Sequence, residues 1–516
     1  PADMLELDMD MEADLGIDTV KQAELFAAVR EHYQLPRRED LRLADYNTLT
    51  KVIQFMRDSL MAQREQTGET RAASPQREES EAPSEPPANR LENLVQQSVE
   101  QVITRRVVVP VLRPRLDLCV STGVAVDGSS RIVVVADRGK VAESLVRRLR
   151  GRKAQVLLIP GDYLHDSLAK VEEFVSAGGV SGVYFLAALD VEPPLSDMNE
   201  ETWQAELDRR VLSLYTLLRA IPGEPFLVSA TRMGGLHGYS PEGAIAPLGG
   251  GVSGFTKALA RERPNALIKV VDFEKEAKPG EIASRLLSET MKDPAVAEIG
   301  WRDDQRYGFT LVERPLDESE PGLTGEEVYV VSGGSGGIVA PVVLDLARNA
   351  GGRFYLLSRT PLPDPNDAEL KALRADRDAF KVKTMQELKA RGEKATPAVV
   401  DQKLAVLDRA LATLDMIAAA QKAGATVRYL TCDVTDPGSC ERAMQVIVAE
   451  AGKVDVFLHA AGIERSRKLE SKPLEEFQQT LAVKASGFFH LFKAMEKNGC
   501  VPEKIVLFSS VAGRFG

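Results

Sequence analysis

Four apolar segments occur twice in this chain, in the same order. RIVVVADRGKVAESLVRRL (131–149) parallels VYVVSGGSGGIVAPVVLDLA (328–347), and AQVLLIPG (154–161) parallels RFYLLSR (353–359). GVYFLAAL (182–189) parallels VDVFLHAAG (454–462), and PFLVSATRMGG (225–235) parallels KIVLFSSVAGR (504–514). Short β-branched runs that alternate with helical stretches indicate parallel α/β sheets covered on both faces. One such match means little, because buried strands share a composition. Four in one order argue for a duplication: two related α/β halves in tandem.

The repeats set the boundaries. The chain has 516 residues, room for three or four domains. Residues 1–61 are dense in Asp, Glu, Leu and Met and read as short helices. Residues 62–90 hold almost no large apolar side chains, so they cannot offset the entropy of ordering and are expected to form a disordered linker. Residues 91–104 read as one amphipathic helix, and the two halves then span 91–320 and 321–516. The second half carries a charged helical insertion at 364–424. There Asn366 or Asp367 is placed to cap one helix, Thr396-Pro397 to begin another, and Gly424 to end it. Leu404, Leu407, Leu411 and Leu414 line one face of that last helix, as expected of an arm that docks on its own domain or a neighbour.

Composition narrows the partners. The formal net charge of −11 argues against nucleic acid. The four cysteines form no CxxC pair and the five histidines show no ligand spacing, so neither a disulfide framework nor a metal site is expected. No apolar run reaches the ~18 residues of a membrane span, and no signal-like start is present. A cytoplasmic setting is the expectation. The first residue is Pro1 rather than Met, which suggests an excerpt of something longer.

The chemistry is expected at the strand ends of the second half. A strand runs into Ser332-Gly333-Gly334-Ser335-Gly336-Gly337-Ile338, and a helix follows. Glycines in that context let backbone N–H groups approach a pyrophosphate at the positive helix end, whereas a glycine-rich turn alone would be weak evidence. The next strand ends in Ser358-Arg359. An acidic residue there would suit a free ribose hydroxyl, while a guanidinium suits a 2′-phosphate, which predicts NADPH over NADH. Asp433-Val434 after the third strand could meet adenine, and Ala460, Ala461 and Gly462 after the fourth allow close approach to ribose and nicotinamide. His459 reads as a packed strand-end residue rather than a catalyst. Lys484 lies on a helix predicted over 475–497, and Ser509-Ser510 end the fifth strand. Taken singly, these would be a solvated lysine and turn-forming serines.

Together SGGSGGI, LLSR, CDVTD, HAAGI, VKASGFFHL and LFSSVAG resemble the short-chain dehydrogenase/reductase superfamily, and most closely the ketoreductase domains of polyketide and polyunsaturated fatty acid synthases. The resemblance covers roughly residues 91–516. It implies two tandem Rossmann-like doubly wound parallel sheets, a degenerate structural half and a catalytic half. The implied reaction is NADPH-dependent reduction of a β-ketoacyl thioester to the β-hydroxyacyl thioester. In that family a Lys, a Ser and a Tyr assist hydride transfer, with an Asn nearby. Carried over, Lys484 is the lysine and Ser510 the serine. The Tyr is expected about a dozen residues beyond Ser510, so residues 1–516 by themselves are expected to be inactive. The first half has Ala136-Asp137-Arg138-Gly139 in place of the glycine turn and is not expected to bind a dinucleotide. Val339 replaces a further family glycine, which a small backbone shift would accommodate.

EADLGIDTVKQAELFAAVREHYQL and DYNTLTKVIQFM resemble an acyl carrier protein, which implies an incomplete all-α helical bundle. Its phosphopantetheine would sit on Thr19, where the family has Ser: either Thr19 is modified or this carrier is silent, with Asp18 or Thr19 only capping the helix. Partners implied are an acyl carrier-bound β-ketoacyl substrate and other synthase domains of the same polypeptide: a ketosynthase, an acyltransferase and, in some, a dehydratase. Two other readings stay open. One is a catalytically decayed docking segment of such a synthase; the other is a reductase of free small molecules.

Overall fold

The computed structural model describes residues 10–11, 47–48, 50–57, 59, 105–162, 164–315, 322–334, 337–393 and 395–516. Thr19, the linker at 62–90, the helix expected at 91–104, Ser335 and Gly336 lie outside them. Near the N-terminus a helix covers 50–57, with Val52 and Phe55 buried. No carrier-type helical bundle is evident among the described residues.

The first half folds around an eight-stranded sheet. In chain order its elements are β1 (Arg106–Leu112), β2 (Arg131–Val135), α1 (Val141–Gly151), β3 (Gln155–Ile159), α2 (Leu164–Ser176), β4 (Gly182–Phe185), α3 (Glu200–Leu207), α4 (Ser213–Ala220), β5 (Phe226–Thr231), α5 (Gly249–Glu262), β6 (Ile268–Phe273), α6 (Pro279–Met291), β7 (Glu298–Arg302) and β8 (Gln305–Glu313). The hydrogen-bonded order is β1-β8-β7-β6-β5-β4-β2-β3. β2 shows why its sequence is apolar without alternation: Ile132 and Val134 enter a core with Leu145 and Leu286, while Val133 and Val135 enter another with Phe185 and Leu214. Successive side chains point to opposite faces, and helices cover both.

The sheet is not parallel throughout, which corrects the expectation from the strand pattern. β7 and β8 form an antiparallel hairpin, and β8 pairs antiparallel with β1. Asp303 and Asp304 turn the hairpin at φ 50° and 61°, the left-handed pair that a two-residue hairpin turn needs. Asp-Asp is a weak signal for such a turn beside Asn-Gly.

The second sheet has the order β11-β10-β9-β12-β13, from β9 (Val328–Ser332), β10 (Arg353–Ser358), β11 (Thr426–Thr431), β12 (Val456–His459) and β13 (Lys504–Leu507). Its helices are α7 (Val339–Asn349), the insertion helices α8 (Ala368–Ala375), α9 (Arg377–Ala390) and α10 (Pro397–Lys422), then α11 (Pro437–Ala451), α12 (Leu474–Leu481), α13 (Gly487–Lys497) and α14 (Ala512–Phe515). Two compact units divide the described chain: one holds residues 333–431, the other 105–315, Val328–Ser332 and Cys432–Gly516.

In the first unit the insertion has a core of its own, Leu373, Phe380, Met385, Leu388, Val400 and Leu404. Asp367 caps α8, accepting from Glu369 N and Leu370 N. Thr396 precedes Pro397 at the start of α10 but makes no side-chain cap bond, and Gly424 at φ 95° follows its end.

In the second unit the two halves share a helical interface with a reciprocal pattern. α3 and α4 are joined by a π-helical turn, Asp208–Leu212, and α12 and α13 by another, Ala482–Ser486. Trp203 of α3 stacks on Phe489 of α13 at 4.5 Å, and Phe477 of α12 stacks on Tyr215 of α4 at 4.4 Å. The members of each stack occupy equivalent places in the two halves, as a duplication would leave them.

Candidate active site

Within the first unit, the loop after β9 begins with Gly333 at φ 70°, a left-handed conformation natural to glycine, and its N–H donates to the Leu357 carbonyl at 3.0 Å. That amide is therefore used to set the turn. Gly337 has open space where a side chain would stand, Ile338 is exposed, and Gly334 is buried. α7 then starts without a side-chain cap and without an acidic residue in its first turn. Its leading N–H groups are a natural anion site. Val339 is buried at the first helical position, so the residue that departs from the family pattern packs inward. Ser358 ends β10 half-buried, and Arg359 beyond it is exposed, with no ion pair to an acidic side chain among the described residues.

The first half shows what the same place looks like when it is filled. Asp137 sends its carboxylate onto the start of α1, accepting from Val141 N at 3.0 Å and Ala142 N at 2.8 Å. Arg138 reaches Asp162 at 2.7 Å and donates its backbone N–H to Asp190 at 2.8 Å. In the π-turn, Arg209 pairs with Asp190, and the fully buried Arg210 with Glu192 and Glu206. The chain's own carboxylate caps α1, whereas α7 has no side-chain cap among the described residues.

Within the second unit, a relay of hydrogen bonds organises the remaining predicted residues. Ser332, fully buried at the end of β9, accepts from Ala460 N and Ala461 N, both at 3.2 Å, and lies 2.8 Å from His459 Nδ1. His459 Nε2 lies 2.9 Å from the Lys484 carbonyl. A carbonyl can only accept, so Nε2 carries the proton and Nδ1 accepts from the Ser332 hydroxyl. Burial pushes the imidazole down to about 4, and it stays neutral at ordinary pH. The Ser332 hydroxyl is thus engaged within the protein, between the two amides and the imidazole.

Lys484 sits at the centre of the π-turn Ala482–Ser486 with its side chain exposed on one side. Partial burial holds its ammonium below the usual lysine range. A methyl group on Gly462 would stand 3.4 Å from Lys484 Nζ, an ordinary van der Waals distance, so Gly462 and the end of the Lys484 side chain are neighbours. Asp433 accepts from Thr435 N at 2.9 Å and Thr435 Oγ1 at 2.8 Å through one carboxylate oxygen, fixing the loop after β11. Val434 is buried, and its carbonyl lies 2.8 Å from His490 Nδ1. Ser510 is exposed beyond β13, and its hydroxyl accepts from Ala512 N at 3.2 Å. Ser486, which accepts from the indole N–H of Trp203 at 3.0 Å, has no local signal in the sequence. A π-turn leaves the apolar spacing of its helix readable as ordinary α-helix.

Comparison with known proteins agrees with this architecture. The family model described as KR domain matches residues 327–516. A polyunsaturated fatty acid synthase chain from a Thraustochytrium species is 24% identical over all of this chain, which spans 19% of that protein. The polyketide synthase PksL of Bacillus subtilis is 26% identical over 54% of the chain, which spans 6% of it. The 3-oxoacyl-[acyl-carrier-protein] reductase FabG of Escherichia coli is 33% identical over 18% of the chain and 39% of its own length. A solved N-terminal ketoreductase from the macrolactin assembly line shares the fold, with a TM-score of 0.57, 15% identity, and coverage of 82% of this chain and 81% of that one. Residues 327–516 are thus similar to KR domains, and the two-sheet architecture of the chain is shared with the solved ketoreductase.

Proposed function

We propose that this chain contributes the reductase step of a polyketide- or fatty-acid-type synthase, in which a β-ketoacyl thioester on an acyl carrier becomes the β-hydroxyacyl thioester. The observation that carries the reading is the contrast between the two helix starts. α1 has its amides covered by Asp137, while α7 follows a glycine turn with no cap and no acid in its first turn. The residues present fit NADPH. In this reading the turn at 333–337 and Ile338 hold the pyrophosphate, and Ser358 and Arg359 bind the 2′-phosphate. Asp433 and Val434 meet adenine, and Ala460, Ala461 and Gly462 leave room for the ribose and nicotinamide. NADPH, when bound, supplies the hydride. Ser510 would hydrogen-bond the ketone oxygen where negative charge develops. Lys484 would orient the ribose and lower the pKa of the family's tyrosine by its positive charge.

Titration with NADPH and NADH tests the reading. NADPH is expected to bind more tightly by about tenfold or more, since a charge-assisted bond contributes ~1.5–3 kcal/mol. Arg359→Ala should abolish that preference. Equal affinities in the parent protein, or a preference untouched by the substitution, would remove Arg359 from the site.

The likeness of the N-terminal segment to a carrier, and the relative that spans the whole chain, support reading residues 1–61 as part of the same multienzyme. Thr19 would then carry phosphopantetheine. Mass spectrometry after incubation with a phosphopantetheinyl transferase and coenzyme A decides this: a mass gain on the peptide holding Thr19 supports it, and none marks a silent carrier.

A further inference from the structure

The stacks that join the two halves are reciprocal, but the hydrogen bond from Trp203 to the facing π-turn is not. Trp203 and Phe477 occupy the same place in α3 and α12, and each lays its ring on an aromatic of the other half. Packing alone needs only the rings. Trp203 nevertheless carries a donor, and its Nε1 reaches Ser486 Oγ at 3.0 Å. Phe477 has no such group, and the place equivalent to Ser486 in the other π-turn is Leu212, which has no hydroxyl. The polar tie is therefore made toward one half only, the half that holds Lys484.

Both partners of this bond are enclosed. Trp203 is 5% exposed and Ser486 5% exposed. A buried indole N–H left unpaired is costly, so the bond is strongly directed. Ser486 is the last residue of the π-turn Ala482–Ser486, and Lys484 lies two residues before it. From the opposite side the turn is held at the Lys484 carbonyl by His459 Nε2 at 2.9 Å. A π-turn spends one extra residue per turn and persists where other contacts over-determine it. Here the contacts are His459 from the second half and Trp203 from the first.

We propose that Trp203, contributed by the structural half, is a positioning residue for Lys484: its indole N–H fixes the π-turn at Ser486 and so aims the lysine at the site. The structural half then shapes the active site as well as supporting its sheet. The inference rests on the functional reading of Lys484, but its test does not.

Three variants separate the roles. Trp203→Phe keeps a ring on Phe489 and removes the donor; Ser486→Ala removes the acceptor; Trp203→Leu removes ring and donor together. The readout is the pH profile of acetic anhydride labelling at Lys484, followed by mass spectrometry on the folded chain, with thermal melting and NADPH titration alongside. With the turn loosened, the ammonium gains water, and its titration should move upward by ~0.5–1 in pH toward free lysine in both Trp203→Phe and Ser486→Ala. The same two variants should weaken NADPH binding about three- to tenfold while melting within a few degrees of the parent. A Lys484 profile unmoved in both, with only the melting temperature lowered, makes Trp203 a packing residue and overturns the proposal. If the parent chain does not bind NADPH, the functional reading fails, yet the labelling profile still decides whether Trp203 positions Lys484.

Discussion

His459 illustrates how much a single residue's role depends on its neighbours. Alone it is one histidine in HAAG; in the fold it is 2% exposed, fixed as one tautomer between Ser332 and the Lys484 carbonyl. Its pKa of about 4 lies below the ordinary histidine value of 6.5, so the unfolded chain binds the proton more readily between these values. Stability therefore rises with pH across that window: the contribution is complete above about 6.5 and is lost as pH falls toward 4. Urea unfolding at about pH 7.5 and about pH 5 should show the parent losing ~2 kcal/mol more than His459→Asn, which cannot titrate there. Equal losses would mean that the imidazole is not buried as described. Gly333 makes a second residue-scale case. Its φ of 70° is costly for a residue with a side chain, so Gly333→Ala should destabilise by ~1–2 kcal/mol in the same assay.

At the scale of elements, helix starts carry the information. Asp367 and Asp137 both place carboxylates on leading amides, and each does so through two hydrogen bonds. Asp367→Ala should cost ~1 kcal/mol and be felt in the insertion, read as faster amide exchange in α8. Asp137→Ala should cost a similar amount and loosen α1. α7 behaves in the opposite sense. It has no side-chain cap to lose. Of these starts, the one at Asp367 is legible from spacing. Asp137 registers in the sequence only as the absence of a glycine turn, and its carboxylate's position becomes visible once β2 and α1 are folded together. The β7–β8 hairpin escapes a parallel reading because its turn residues, Asp303-Asp304, carry little of the usual hairpin signal.

In the unit that contains both the eight-stranded sheet and residues 432–516, the duplication becomes a physical interface. The two stacks, Trp203 on Phe489 and Tyr215 on Phe477, lie at interplanar angles of 5° and 15°. Further bonds cross the same boundary: Tyr215 Oη donates to the Lys472 carbonyl, Arg219 to the Leu469 and Lys472 carbonyls, and Lys493 to that of Ser196. A double-mutant cycle on Tyr215→Leu and Phe477→Leu should give a coupling energy of ~0.5–1.5 kcal/mol by denaturant unfolding, with one cooperative transition in the parent. Two resolved transitions in the parent would mean that the halves fold independently and that the stacks do not couple them.

What the linear chain determined by itself was everything written in local pattern. β-branched runs in repeated order implied two α/β halves, the glycines after the first strand of the second half implied a tight strand-to-helix turn, and Thr396-Pro397 and Gly424 marked the limits of a helix. Such signals survive in sequence because backbone geometry at a turn or helix end depends on a few adjacent residues. Only tertiary structure could reveal that the buried Ser332 bonds His459 and that His459 links it to the Lys484 carbonyl. The same holds for Trp203, bonded from 283 positions away to the turn that carries that lysine. Those relations depend on which buried polar atoms meet once the strands align, and no spacing along the chain encodes a hydrogen bond between elements that far apart.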